Sequence, residues 1–124
     1  MTPQLLDDFQ RRTRALVSAV GLLQRSQPGS VGYAEFCRKT EKSVRLVADT
    51  ADELLRGITG AERDAALSKA QAQGLLSTEE AERWRGYFER PLPDDDADYD
   101  EATLDRLRAF LLDARALETN LRNT

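Results

Sequence analysis

The 124-residue chain contains no histidine, the side chain that most often moves protons near neutral pH. Cys37 is the only cysteine, so neither a histidine-based nucleophilic pair nor a zinc site of histidine and cysteine ligands can be assembled. A single thiol also cannot close a disulfide within the chain. Carboxylate-bridged di-iron bundles pair Glu-x-x-His segments on facing helices, and these are missing as well. Apolar runs are only a few residues long, too short for a bilayer span. The opening Met1-Thr2-Pro3-Gln4 lacks the basic and apolar regions of a signal peptide, so a cytoplasmic protein is expected. No catalytic residue, metal or cofactor is assigned on these grounds.

What remains is a charged, helix-forming chain, 40% hydrophobic and 32% charged, which describes one folded domain over residues 1–124. The net charge of −4 is unevenly spread. Residues 1–60 carry 9 basic and 7 acidic side chains, a balance of +2; residues 61–124 carry 9 and 15, a balance of −6. Such a chain has no overall attraction for nucleic acid, and any contact needs a local basic patch.

Hydrophobic periodicity predicts helices almost throughout. Leu5, Phe9, Leu16, Val20 and Leu23 recur at helical spacing behind Pro3, and the Ser26-Gln27-Pro28-Gly29-Ser30 stretch ends that helix. A second helix is expected from about Ser30 to Arg56, with Tyr33, Phe36, Cys37, Val44, Val47, Ala48, Ala51 and Leu55 inward and Gly57 as its terminator. Thr59 and Glu62 have the spacing of a capping box for a short third helix carrying Ala65, Ala66, Leu67 and Ala70, closed by Gly74. Ser77 and Glu80 repeat that spacing ahead of a fourth, holding Ala81, Trp84, Tyr87 and Phe88 and stopped by Pro91 and Pro93. Leu104, Leu107, Leu111, Ala114, Leu117 and Leu121 mark a last helix from about Asp100 to Leu121. No stretch alternates with period two. The expected fold is all-α, an antiparallel up-and-down bundle of four to five helices.

Three features invite chemistry. Asp94, Asp96 and Asp98 stand at the first, third and fifth places of a calcium loop, but Tyr99 sits where glycine is required and Asp105 where a bidentate glutamate belongs. Acidic residues ahead of the last helix are explained by its positive N-terminal end. Within the basic cluster Arg38-Lys39-Lys42-Arg45, Arg38, Lys42 and Arg45 stand at i, i+4 and i+7 on one helix face, able to meet phosphates. Its plainer reading is a solvated face neutralised by Glu41–Arg45 and Arg45–Asp49 pairs at i, i+4. Trp84, Tyr87 and Phe88 form an aromatic group: Trp84 and Phe88, one helical turn apart, are expected to pack into the core or a dimer seam, whereas Tyr87 and Tyr99 flank the loop as candidates to face a partner.

Several segments taken in order resemble HEPN domains, in particular the branch described as nucleotidyltransferase substrate-binding proteins. Leu5-Leu6-Asp7-Asp8-Phe9 through Leu22-Leu23 is similar to that branch's first helix, and Tyr33-Ala34-Glu35-Phe36-Cys37-Arg38-Lys39-Thr40 to its second. Gln73-Gly74-Leu75-Leu76 resembles the element before the fourth helix. Trp84, Arg90 and Asp98-Tyr99-Asp100-Glu101 follow in the family's order. The resemblance implies a homodimeric helical bundle that partners a small nucleotidyltransferase or binds nucleotide or RNA, in some members within toxin–antitoxin pairs. Family ribonucleases keep an arginine followed a few residues later by a histidine. Here Arg90 is present but the position five residues on is Asp95, whose negative charge would repel a phosphate. The expectation is therefore a non-catalytic binding module, without membrane attachment, that contacts its ligand or partner through Arg90, Lys39, Tyr99, Arg38 and Lys42. The alternative is an unrelated helical-bundle adaptor, or an acidic antitoxin-like or immunity-like regulator acting through its acidic C-terminal half.

Overall fold

The computed structural model describes residues 3–27, 29–90 and 100–123, and everything below refers to them. They form five helices: α1 (Pro3–Arg25), α2 (Tyr33–Thr59), α3 (Arg63–Ala72), α4 (Thr78–Glu89) and α5 (Glu101–Arg122). No strand occurs among the described residues. The protein is an all-α helical bundle.

α1 and α2 lie antiparallel, with Arg12 of α1 donating to the Thr50 hydroxyl of α2. α5 returns along the other side of α1. The Arg122 guanidinium near its end reaches Asp7 (3.2 Å) and Gln10 (3.4 Å) near the start of α1. The short α3–α4 hairpin closes the bundle against α2 and α5. One buried cluster results, built from Leu6, Phe9, Leu16, Val20 and Leu23 of α1, the Val44–Leu55 stripe of α2, and Leu104, Leu107, Phe110, Ala114, Leu117 and Leu121 of α5. Leu67, Leu75, Leu76 and Trp84 seal it from the hairpin side.

Local chemistry explains most helix ends. Ser77 accepts from the Glu80 amide (3.1 Å) while the Glu80 carboxylate accepts from the Ser77 amide (3.0 Å), so the expected capping box opens α4. Gly74, at φ +78°, closes α3 with the Leu75 amide bonded to Ala70 (2.9 Å) and its own amide to Gln71 (3.1 Å). Asp100 caps α5 by accepting from the Thr103 amide (2.9 Å), and that bond holds its carboxyl below the usual range.

Other boundaries differ from expectation. α2 begins at Tyr33 rather than near Ser30, with Gly32 at φ +89° as its first boundary residue. It runs through Gly57 to Thr59 and ends at Gly60, whose φ of +68° lets its amide reach Arg56 (2.8 Å). The continuous stripe of Ala51, Leu54 and Leu55 carries the helix past Gly57, because burial outweighs one glycine's propensity penalty of about 1 kcal/mol. The Thr59–Glu62 capping box does not form: the Thr59 hydroxyl instead donates back to Leu55 (2.7 Å), and Glu62 makes no side-chain cap. In α5, Phe110 takes the buried place expected for Leu111, which is half-buried. Ala65 faces solvent.

Candidate functional site

The outward face of α2 is the place where the sequence-predicted residues come together. Arg38, Lys39, Lys42 and Arg45 are all exposed on the helix's first half. The core-facing residues Thr40, Val44, Val47 and Ala48 occupy the opposite side and fix that orientation. Leu46 is 47% exposed, one turn beyond Lys42. The face is therefore cationic with an apolar edge.

The neutralising pairs expected at i, i+4 are not made. Among the described residues, Arg38 pairs with Glu35 at 3.7 Å, whereas Lys39, Lys42 and Arg45 enter no ion pair. Glu41 is half-buried on the flank of the helix and Asp49 points outward, and neither closes on Arg45. Three cations are left facing water on about two turns of helix.

Arg90 stands apart. It is exposed at the end of α4, its amide bonded to Gly86 (2.8 Å). Two residues earlier, Phe88 stacks beneath the Arg63 guanidinium at 5.4 Å. Arg63 in turn lies 3.4 Å from the Asp52 carboxylate of α2, which Arg56 approaches at 3.9 Å. Asp52 is thirteen residues beyond Lys39, or about 20 Å along the helix axis. No contact among the described residues joins Arg90 to the α2 cations, so the expected set divides between two places. Tyr99, Asp95 and the rest of the acidic loop lie outside the described residues.

Sequence reasoning missed the most strongly perturbed group of charges. Arg83 of α4 donates through Nε and a terminal nitrogen to both oxygens of Asp113 on α5, at 2.8 and 2.9 Å. The Tyr87 hydroxyl donates to the same carboxylate at 2.6 Å. Desolvation, followed by the hydrogen bond to Asp113 and that carboxylate's charge, raises the Tyr87 pKa well above that of a free phenol. The paired carboxylate likewise raises that of Arg83. The Asp113 carboxylate accepts all three of these bonds, and they join α4 to α5. It is a clamp, with Tyr87 edge-on to both Trp84 (5.3 Å) and Phe110 (4.8 Å). An i, i+4 pattern within α4 relates Arg83 to Tyr87, but nothing in the sequence points from them to Asp113.

Trp84 is fully buried, as expected, and its indole N–H finds no partner among the described residues. No cluster of acidic or cysteine side chains suited to a metal ion occurs among the described residues, and no described helix is long and apolar enough to cross a membrane. No family model, curated protein or solved structure matches the chain.

Proposed function

We propose that the protein is a HEPN-like binding module that holds single-stranded RNA through the outward face of α2. The observation that carries this reading is that Lys39, Lys42 and Arg45 are exposed on the first half of α2 and form no ion pair among the described residues, although Glu41 and Asp49 stand at pairing distance from Arg45 in the sequence. An unneutralised cationic strip releases counterions when it meets a phosphate chain, and that release drives sequence-independent binding. Arg38, held by Glu35 at 3.7 Å, borders the strip. With a net charge of −4, attraction for a phosphate chain depends on a local patch such as this one rather than on the field of the whole surface.

Titration of a labelled single-stranded RNA, followed by fluorescence anisotropy at several salt concentrations, tests the reading. Affinity should fall steeply with salt, with a log–log slope near −0.7 for each phosphate neutralised. The K39Q/K42Q/R45Q variant should lose most of that slope, by about 2 units if all three cations meet phosphates. Binding that is unchanged in the triple variant, or insensitive to salt, would refute it. In this reading Arg90 does not cut RNA, and purified protein leaves the probe intact with or without R90A.

A further inference from the structure

A groove of about 360 Å³ runs between α1 and α5, and none of the α2 cations lines it. Its lining includes Arg14 from one helix and Arg115 from the other, both exposed, with Gln10, Val17, Glu118 and Thr119 among the remaining residues. Neither arginine forms an ion pair among the described residues. The nearby carboxylates are already engaged: Arg122 holds Glu118 at 2.8 Å and Asp7 at 3.2 Å. Two guanidinium-bearing residues thus line one groove with no ion pair among the described residues, and the one carboxylate in the lining, Glu118, is held by Arg122.

From this arrangement we infer that the groove binds the dianionic head of a phosphomonoester. A guanidinium presents a rigid planar fork of donors that matches phosphate oxygens, and two forks from opposite walls suit an anion with three terminal oxygens. A phosphomonoester carries a charge of about −1.5 to −2 near neutral pH, enough to balance both arginines. The Gln10 amide and Thr119 hydroxyl add neutral donors, and half-buried Val17 supplies an apolar wall for the esterified group. The volume lies at the small end of the range typical of ligand clefts. It suits a mononucleotide or sugar phosphate rather than a folded polymer. The site is independent of the α2 face, and its existence does not rest on RNA binding there.

Isothermal titration with inorganic phosphate, adenosine 5′-monophosphate and adenosine tests the assignment. Saturable binding of the two phosphates, with none of adenosine, is expected. Tighter binding of the nucleotide than of inorganic phosphate would identify an ester as the preferred source, and the reverse order would identify the free ion; either satisfies the inference. R14Q and R115Q should each weaken binding roughly ten-fold or more, the loss of one charge-assisted contact. Both side chains are exposed, and unchanged circular dichroism will show that each variant keeps its fold. K39Q/K42Q/R45Q should bind phosphate as the parent does, so failure of the α2 proposal and failure of this one are separable. Absence of saturable binding overturns the assignment. So does binding that survives both arginine substitutions, or binding lost with the α2 cations.

Discussion

Arg83 and Asp113 lie thirty residues apart in the chain and meet through two parallel hydrogen bonds of 2.8 and 2.9 Å. The Asp113 side chain is only 8% exposed, whereas that of Arg83 is 47% exposed, so the carboxylate rather than the guanidinium bears the desolvation. Removing Asp113 leaves Tyr87 without its acceptor and Arg83 without its partner. Removing Arg83 leaves a buried anion supported by one phenol.

Asp113→Ala should therefore destabilise the fold by about 2–3 kcal/mol in urea denaturation, below the range for a wholly buried pair because Arg83 retains water contact. Tyr87→Phe should cost about 1 kcal/mol. The double variant should cost less than the sum of the two, since both lose the same bond. A loss under about 0.5 kcal/mol for Asp113→Ala, the range of ordinary surface substitutions, would show that the clamp contributes nothing.

The same clamp makes stability depend on alkaline pH. Tyr87 has a pKa raised in the folded state above the ordinary value of 10.0, so above that pH the folded chain holds a proton that the unfolded chain releases. Stability should be level up to about pH 9 and then fall, with a limiting slope of about 1.4 kcal/mol per pH unit from this group. Tyr87→Phe should remove that slope. An equally steep alkaline decline in the variant would assign the effect to other groups.

Gly57 and Gly60, three residues apart, should respond in opposite directions to alanine. Gly57 lies inside α2 with open space where a methyl group would go, so Gly57→Ala should stabilise by about 0.5–1 kcal/mol through helix propensity. Gly60 also has open space, but its φ of +68° disfavours a side chain, and Gly60→Ala should destabilise by about 1 kcal/mol. Thermal unfolding of the two variants distinguishes this helix end from one at Gly57, for which the signs would be exchanged.

Trp84 joins full burial to an indole N–H without a partner among the described residues. Trp84→Ala should cost about 3–5 kcal/mol, as large core truncations do. Trp84→Phe keeps the ring contacts with Phe110 and Phe88 and relieves the unpaired donor, so its cost should stay below about 2 kcal/mol. Equal losses in the two variants would mean that the indole N–H is satisfied and matters to the fold.

Much of the architecture was legible because its causes are local. Phe9, Leu16, Val20 and Leu23 lie on one side of any helix that contains them, and they are buried. Ser77 and Glu80 reach each other's backbone within one turn, so four residues suffice to specify the start of α4. The end of α2 is not legible in the same way, because Gly57 and Gly60 compete there and the outcome rests on how far the buried stripe extends. Phe110 and Leu111 both fit helical spacing, and only the positions of the neighbouring helices decide that Phe110 faces inward.

Residue type and near-neighbour spacing suffice to specify a helical chain, its principal apolar stripes and the lack of an imidazole. Which charges are paired and which are left over depends on helix packing, which no local pattern encodes. Asp113 and Asp52 became interior anchors because distant arginines reach them. Among the described residues Lys39, Lys42 and Arg45 are left without an ion pair, and Arg14 and Arg115 line one groove, because helix packing sets the distances over which charges act.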